Sequence, residues 1–514
     1  MSHLPILPFI VPLVAAIVLL LGHGRGIVFE RTISTIAIAI SILLAALLLV
    51  TASDGAVRVY RLGDWPAPFG IVLVLDRLAA VMVAVTAALA VPVVLVARQG
   101  IDTQSRHFHV FLQLQLAGLY GAFLTGDLFN LFVFFEILLL ASYALLAHGR
   151  DAPRAKATLG YVVLNLLGSA LFLVALALIY GTLGTLNMAD SGARLATVAA
   201  ADAPLVRTAF ALLAAVFLLK AALLPLGFWL PQTYAAASLP VAMLFVVMTK
   251  VGIYALLRVV TSGLSEAAAT ADLFEPWLSW LAIGTIGIGA IGMLAARRLN
   301  LVAANLVLVS SGTLLLGVAA ASVTSIAALL TYLVHTTIVT AALFLIADII
   351  AERRGALRDS IEKGGHLGEI KIIGTAYLLL AVAASGAPPL SGFLAKLMVM
   401  QSLTATPHAW ASWTALLVAG LVTALVLARA ASAYFWEPGR ADGATATAAI
   451  ASRADAPRSL ALPLVLLLVT ALALVPLAAP LSAYARATAA QLEQRQAYRD
   501  AVLGNATIER ERRP

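Results

Sequence analysis

Residues 209–228 read AFALLAAVFLLKAALLPLGF, an apolar segment that contains one lysine, Lys220, and one proline, Pro225. A proline inside a helix removes a backbone hydrogen bond and clashes with the preceding turn, so we expect the helix to break there. An apolar segment of about 20 residues spans the hydrocarbon core of a bilayer, where a lysine is costly unless it has a partner, water or a function. The segment therefore predicts a broken membrane helix with a charged group beside the break.

A second segment of similar pattern lies later in the chain. Residues 386–396 read GAPPLSGFLAK, in which Pro388 and Pro389 come shortly before Lys396, while the first segment continues to a further proline, Pro231. We count five predicted helices from one break to the other, so the two broken helices would run in opposite directions. This spacing predicts an inverted repeat, as in many secondary transporters. The alternative is a chance resemblance between two kinks, which are common in membrane helices.

The composition extends the membrane prediction to the whole chain. Of 514 residues, 62% are hydrophobic and 11% are charged, more apolar surface than a soluble fold can bury. Apolar runs predict an all-α polytopic membrane protein of about fourteen transmembrane helices, with two inverted five-helix repeats and broken helices seven and twelve. The third predicted span covers 71–97, and the last covers 459–480. The predicted divisions are a three-helix segment (1–107), a first repeat (108–260), a second repeat (276–436), and a last helix with a C-terminal tail (437–514).

The charged loops predict the orientation in the membrane. Lys and Arg concentrate in the loops that follow odd-numbered helices, so the positive-inside rule places those loops in the cytoplasm of a multi-pass protein of the bacterial inner membrane. The net charge of +8 is thus a topology signal, and we expect no nucleic-acid partner. The chain has no cysteine, which excludes disulfides, iron–sulfur clusters and thiolate metal sites, and we expect no cofactor and no bound metal.

Five ionisable residues fall deep inside predicted helices, at similar depth. They are Glu136, Lys220, Lys250, His335 and Lys396. Burial favours the neutral form of each group and pairing favours the charged form, so a Glu–Lys contact that opens and closes can switch protonation states. Groups a helix diameter apart need bridging water to exchange a proton. The set predicts a proton and cation path of Glu, Lys and His linked by water.

Each of these residues also has a structural interpretation. Glu136 and Lys220 could form a static ion pair, and Lys250 could have a structural role. Lys396 could extend to the membrane interface, and His335 could be a hydrogen-bonded packing histidine. Asp76 with Arg77, Asp348 with Arg353, and His107 with His109 fall at predicted helix ends, where solvated or interfacial pairs are expected.

Several segments resemble a known family. GDLFNLFVFFEILLLASYALL (126–146), the run from Lys220 to Lys250, YLVHTTIVTAALF (332–344) and GAPPLSGFLAK (386–396) are similar to the proton-translocating antiporter-like family. That family includes the large membrane subunits of respiratory complex I and the A-type and D-type subunits of Mrp antiporters. The resemblance implies fourteen helices with inverted repeats, a Glu136–Lys220 pair, a polar axis continued by Lys250 and Lys396, and a polar position at His335.

The tail sequence QRQAYRDAVLG (494–504) resembles the ending of D-type subunits in this family. The resemblance implies a non-enzymatic subunit of a multisubunit Na⁺ or K⁺/proton antiporter, assembled with the other Mrp-type subunits. One alternative is a proton-pumping subunit of a complex I or membrane hydrogenase assembly. Another is a membrane scaffold that retains a vestigial relay. The sequence shows no nucleotide-binding motif, so ion gradients would supply the work.

Overall fold

The computed structural model describes residues 3–149, 152–264, 267, 269–270, 272–274, 277–363, 370–436 and 460–504. Within these residues the chain forms nineteen α-helices and one two-stranded hairpin. The helices are α1 (Leu7–Leu21), α2 (Ile27–Ala52), α3 (Arg77–Ala97), α4 (Phe108–Leu124), α5 (Leu128–Leu146), α6 (Ala152–Leu183), α7 (Met188–Leu195), α8 (Ala203–Lys220), α9 (Trp229–Ala236), α10 (Leu239–Val259), α11 (Trp277–Ala295), α12 (Leu299–Ala320), α13 (Val323–Arg353), α14 (Ile370–Ser385), α15 (Ser391–Ser402), α16 (Ala409–Ala431), α17 (Ala461–Ala473), α18 (Ala478–Glu493) and α19 (Arg495–Leu503).

The helices confirm a polytopic all-α membrane fold. In the described chain, eleven helices are long and apolar enough to cross a bilayer, and α17 with α18 makes twelve if this bent pair is one span. Two further apolar helices, α4 and α14, lie where spans were predicted but are shorter than 18 residues. The count of fourteen stays a prediction, because it requires α4 and the α14–α15 pair to cross as well.

The centre of the bundle consists of α10, α12 and α13. Their apolar windows are 100%, 94% and 89% buried inside the protein, whereas those of α2 and α6 are 33% and 39% buried. The peripheral helices expose large apolar side chains, among them Leu43 and Leu167, as expected of surfaces that face lipid. The middle parts of these three helices are thus removed from both lipid and bulk water.

Both predicted helix breaks are present, and the helix before each break ends in the same way. At the end of α8, Ala222 has φ +58° and the Leu223 amide donates to the Leu218 carbonyl (3.0 Å). At the end of α14, Gly386 has φ +81° and the Ala387 amide donates to the Val382 carbonyl (3.2 Å). This hydrogen-bond pattern with a left-handed residue is a Schellman end, which stops a helix before a proline.

The positions of the prolines refine the prediction. Pro225 lies between α8 and α9, and Pro388 and Pro389 lie between α14 and α15. Pro231, predicted as part of the first break, lies instead in the first turn of α9, where the missing N–H costs no helical hydrogen bond.

A third break was not predicted. The last span was expected as one helix over 459–480, but α17 ends at Ala473 and α18 begins at Ala478 after a bend of 75°. Pro476 lies in this bend and lacks the N–H that would continue the helix. The helix then continues to Glu493, so part of the predicted tail belongs to the folded bundle.

A small hairpin is a further departure from the predicted spans. The third span was expected to begin near residue 71, but Val72–Leu75 form a strand (β2) that pairs antiparallel with Arg58–Arg61 (β1), with Arg58 opposite Leu75. The alternating Val and Leu residues of β2 are all buried, and β-branched residues favour a pleated, buried surface. The helix α3 begins only after Asp76, whose carboxylate accepts from the Ala79 amide (2.8 Å).

Candidate functional site

The five predicted path residues all lie on helices of the described chain. Glu136 is on α5, Lys220 is the last residue of α8, Lys250 is on α10, His335 is on α13 and Lys396 is on α15. Lys220, Lys250 and His335 are 6%, 0% and 3% exposed, while Glu136 and Lys396 are half-buried. Groups this deep require polar partners from neighbouring helices.

Glu136 and Lys220 are connected through α6 and form no direct ion pair within the described residues. The Ser169 hydroxyl donates to Oε1 of Glu136. Nζ of Lys220 donates to Oδ1 of Asn165 (2.7 Å), and Nδ2 of Asn165 donates to the Tyr161 carbonyl (2.7 Å). One face of α6 therefore supplies a neutral polar partner to each of the two charged groups.

Lys250 has a hydroxyl partner on α12. Its Nζ lies 3.4 Å from Oγ of Ser310, which itself donates to the Val307 carbonyl (2.7 Å). The buried hydroxyls of Ser311 on α12 and Thr340 on α13 have no hydrogen-bond partner among the described residues. Lys250 therefore has a neutral hydroxyl acceptor on a neighbouring central helix.

Close contact between α8 and α10 brings the Lys220 and Lys250 helices together. A Cβ atom on Gly252 would lie 2.6 Å from the Phe217 carbonyl oxygen, 2.8 Å from the Ala221 amide nitrogen and 3.0 Å from Cβ of Lys220. Only a glycine permits this approach, because backbone atoms of α8 occupy the space of a side chain.

His335 and Lys396 both bind at the break between α14 and α15. Nδ1 of His335 lies 2.9 Å from Oγ of Ser391, and its imidazole also contacts the Ala383 carbonyl. Nζ of Lys396 donates to the Ala384 carbonyl (3.1 Å) and to the Ser385 carbonyl (2.8 Å). The last carbonyls of a helix accept no hydrogen bond from an amide of the same helix. Here His335 and Lys396 together contact three consecutive carbonyls at the end of α14.

A polar cavity of about 550 Å³ opens between α9, α10, α12 and α13. It lies on the side that the positive-inside rule assigns to the cytoplasm, and its wall includes Ala242 of α10. Lys250 is eight residues further along α10, a distance of about 12 Å at 1.5 Å per residue. The charged residues that line the cavity are Arg154, Arg298, Asp348, Arg358 and Asp359.

Two helix-end groups predicted as solvated or interfacial pairs are in fact buried. Asp76 does not pair with Arg77 but with Arg258, whose Nη2 lies 2.9 Å from Oδ1 of Asp76, and the two residues are 1% and 4% exposed. His109 is fully buried, and its Nε2 lies 3.1 Å from Oδ2 of Asp102. Neither observed partner is the residue predicted for Asp76 or His109, because spacing along the chain does not show which helices meet.

Two aspartates outside the membrane helices have pKa values shifted in opposite directions. Burial alone would raise the pKa of Asp102, but hydrogen bonds from Arg31 and His109 lower it to about 2. Asp127 caps α5 through the Asn130 amide (2.8 Å), and burial raises its pKa to about 6. Asp102 is therefore held as a carboxylate, whereas Asp127 titrates nearer neutral pH.

The sequence pattern did not predict the neutral partners of the five predicted path residues. They are Asn165, Ser169, Ser310 and Ser391. A signal existed for Asn165 and Ser169, since polar residues four apart share one face of an otherwise apolar helix. Ser310 and Ser391 carried no such signal, because serine is common in membrane helices.

Comparison with known proteins identifies the relatives of this chain. Residues 125–426 match the family model described as NADH:quinone oxidoreductase/Mrp antiporter, transmembrane. The D-type subunit of a probable K⁺/H⁺ antiporter of Rhizobium meliloti is 40% identical over 85% of this chain and 87% of its own length. The D-type subunit of a Na⁺/H⁺ antiporter of Bacillus subtilis is 36% identical over 78% of this chain and 80% of its own length. A chain in the structure of the Mrp complex from Dietzia sp. superposes with a TM-score of 0.85 at 28% identity, over 98% of this chain and 99% of that one.

Proposed function

Because the chain belongs to the NADH:quinone oxidoreductase/Mrp antiporter family, we propose that it is the D-type subunit of a multisubunit Na⁺ or K⁺/proton antiporter. It works in the bacterial plasma membrane and assembles with the other subunits of an Mrp-type complex. Its buried Glu, Lys and His residues carry protons through the bundle. The relatives named for K⁺/H⁺ and for Na⁺/H⁺ exchange support the reaction class.

The proposal rests on the kind of partner that each of the three intramembrane lysines has. Lys220, Lys250 and Lys396 are held by an amide oxygen, a hydroxyl and backbone carbonyls. A buried lysine with a neutral partner can lose its proton, whereas a salt bridge would hold the charged form. All three lysines therefore suit repeated protonation and deprotonation.

The path begins on the cytoplasmic side in this proposal. The 550 Å³ cavity gives water access to the start of α10, and the contact at Gly252 brings α8 against α10. Glu136 influences Lys220 across α6, and Lys396 and His335 continue the path at the second break. Bound water would complete the steps that side chains do not span.

The inverted repeat remains part of the proposal. Residues 108–260 and 276–436 would each form one five-helix repeat. The matching Schellman ends at Ala222 and Gly386, each followed within three residues by a proline, support the relation between the two halves. In such transporters the broken helices meet near the middle of the membrane.

The test is Lys250→Ala in the complete antiporter complex. Cation/proton exchange is measured in everted membrane vesicles with a pH-sensitive dye, and rates are divided by the amount of assembled complex. We expect exchange to be abolished at normal complex abundance, because Lys250 has no charged partner among the described residues whose loss would disturb folding. The matched control is Lys371→Ala, which removes an exposed lysine near the start of α14. Normal exchange by the assembled Lys250→Ala complex would contradict the proposed path, and proton pumping without cation dependence would favour the respiratory alternative.

A further inference from the structure

The second and third helix breaks meet at one histidine. His335 contacts Ser391 at the start of α15 and the Ala383 carbonyl near the end of α14. The Ser391 hydroxyl also lies 3.5 Å from the Ala471 carbonyl oxygen, in the last turn of α17. A single hydroxyl thus bridges the imidazole and the last membrane helix.

The Ala471 carbonyl is free to accept from Ser391 because of the third break. In an uninterrupted helix it would accept from the amide of Val475, but that amide donates to the Leu472 carbonyl (3.1 Å). Pro476 follows and has no N–H to donate. The break therefore leaves a buried backbone oxygen within reach of Ser391.

Gly392 allows the imidazole to reach this position. A Cβ atom on Gly392 would lie 3.0 Å from both Cε1 and Nε2 of His335. The ring is thus packed against the start of α15, with Nδ1 toward Ser391 and Nε2 near Gly392. This geometry fixes which nitrogen faces the last helix.

A small pocket lies beside the same contact. Its volume is about 20 Å³, and its lining includes Thr331, His335, Ser391, Leu474 and Leu481. A site of this size has room for one water molecule, which needs polar partners. The Thr331 hydroxyl donates to the Ala327 carbonyl (3.0 Å), so its oxygen remains able to accept from such a water.

The pocket lies on the route to the other face of the protein. Thr331 is one turn from His335 toward the start of α13, and α18 runs from the break to Glu493. Near its end, Gln491 accepts from the Arg77 amide (3.0 Å) and donates to the Gly55 carbonyl (2.8 Å), in the loop that carries the hairpin. The positive-inside rule places that loop outside the cytoplasm.

We infer that Ser391 is a positioning residue of the proton path, which orients His335 against the broken last helix so that the imidazole can release its proton to a water in the adjoining pocket. This inference rests on the proposed function. In the release step the imidazolium loses one proton to the water and returns to its neutral form, and no other bond changes. The other titratable groups that face His335 in the described structure are Lys396 on α15 and Tyr332 on its own helix.

The test compares substitutions of Ser391 in the complete complex. Ser391→Ala removes the hydroxyl, Ser391→Thr retains it, and Ser391→Cys preserves the size with a much weaker hydrogen bond. The matched control is Ser402→Ala, on the same helix, whose hydroxyl contacts only the Val399 carbonyl among the described residues (2.8 Å). Exchange per assembled complex is measured across neutral and alkaline pH in everted vesicles, at saturating cation.

We expect Ser391→Ala and Ser391→Cys to lower the exchange rate about tenfold, the effect of losing one hydrogen bond to a charged group, and to displace its pH profile. Ser391→Thr should restore most of the rate, and Ser402→Ala should match the unmodified protein. A wild-type rate and pH profile for assembled Ser391→Ala or Ser391→Cys, with Lys250→Ala inactive in the same assay, would overturn the inference alone. An active Lys250→Ala would instead contradict the proposed function. Reduced complex abundance with normal exchange per complex would show that Ser391 is merely structural.

Discussion

At the scale of single residues, the three intramembrane lysines share a type of environment. Each is bound to a neutral oxygen, with Asn165, Ser310 and the carbonyls of Ala384 and Ser385 as the acceptors. A neutral acceptor reduces the cost of burying the ammonium group without holding the charge in place. The same acceptors remain satisfied by a neutral amine or by water. These sites therefore tolerate both protonation states.

Arginine should not replace lysine at these positions. Lys220→Arg and Lys396→Arg keep the positive charge, but a guanidinium holds its proton at any working pH, so we expect most exchange to be lost while the complex assembles. The measurement is cation/proton exchange in vesicles, divided by complex abundance. Lys371→Arg, at an exposed position, is the control and should remain active. Full activity of either buried arginine variant would indicate a static charge at that position.

At the scale of elements, one helix contact determines how the first break meets the central bundle. The α8 helix ends at Lys220 in direct backbone contact with α10 at Gly252. Contacts of this kind between small residues allow close helix packing in membranes. The distance between α8 and α10, the helices of Lys220 and Lys250, thus depends on Gly252, which has no side chain.

We expect Gly252→Ala to reduce exchange strongly. The added methyl group would overlap backbone atoms of α8 at 2.6 to 2.8 Å, so α8 must move away and the two lysine sites separate. The matched control is Gly287→Ala on α11, where no atom lies within 4 Å of an added Cβ. Exchange rate and complex abundance are measured for both variants. Equal, normal rates would show that the α8–α10 distance does not limit transport.

At the scale of the whole molecule, the contacts of two buried aspartates fasten the first three helices to the rest of the protein. Asp76, before α3, pairs with Arg258 on α10. Asp102, after α3, binds Arg31 on α2 (2.7 Å) and His109 on α4 (3.1 Å). One of the two aspartates lies at each end of α3, so the N-terminal segment is held at both membrane faces.

The contribution of Asp102 to stability should depend on pH. Its pKa in the folded protein, about 2, lies below the usual value of an aspartate, so the stabilisation is present above about pH 4 and is lost as the pH falls toward the folded-state pKa. We expect Asp102→Asn to lower the free energy of unfolding by roughly 2 kcal/mol at neutral pH, the scale of hydrogen bonds to a charged group. The measurement is the thermal unfolding midpoint of the purified complex from neutral to acidic pH.

The control for this prediction is Asp54→Asn. Asp54 pairs with Arg58 four residues away, but its side chain is 52% exposed, and exposed pairs contribute little because water screens them. Its midpoint should match that of the unmodified protein. A difference between Asp102→Asn and the unmodified protein that stays constant from neutral to acidic pH would contradict a carboxylate-specific contribution.

The types of residue along the chain were enough to determine the membrane class, two helix breaks and the deep ionisable residues. Apolar length and scarce charge determined the membrane class, and a proline inside an apolar run determined the breaks at Pro225 and at Pro388–Pro389. The five deep ionisable residues were identifiable because a charge in hydrocarbon is costly wherever the chain goes. The break at Pro476 could also have been predicted from the sequence. It was missed because the predicted span ended at residue 480, so that Pro476 fell near the end of the span and not in its interior.

Only the tertiary structure decided which groups meet. The pairing of Asp76 with Arg258, the use of α6 between Glu136 and Lys220, and the contact of His335 with Ser391 join residues 33 to 182 positions apart. Periodicity reports which face of a helix is apolar, but not which other helix covers it. A hydroxyl or a glycine gives no signal of its own in an apolar helix, because its role comes from the atom that packing places beside it.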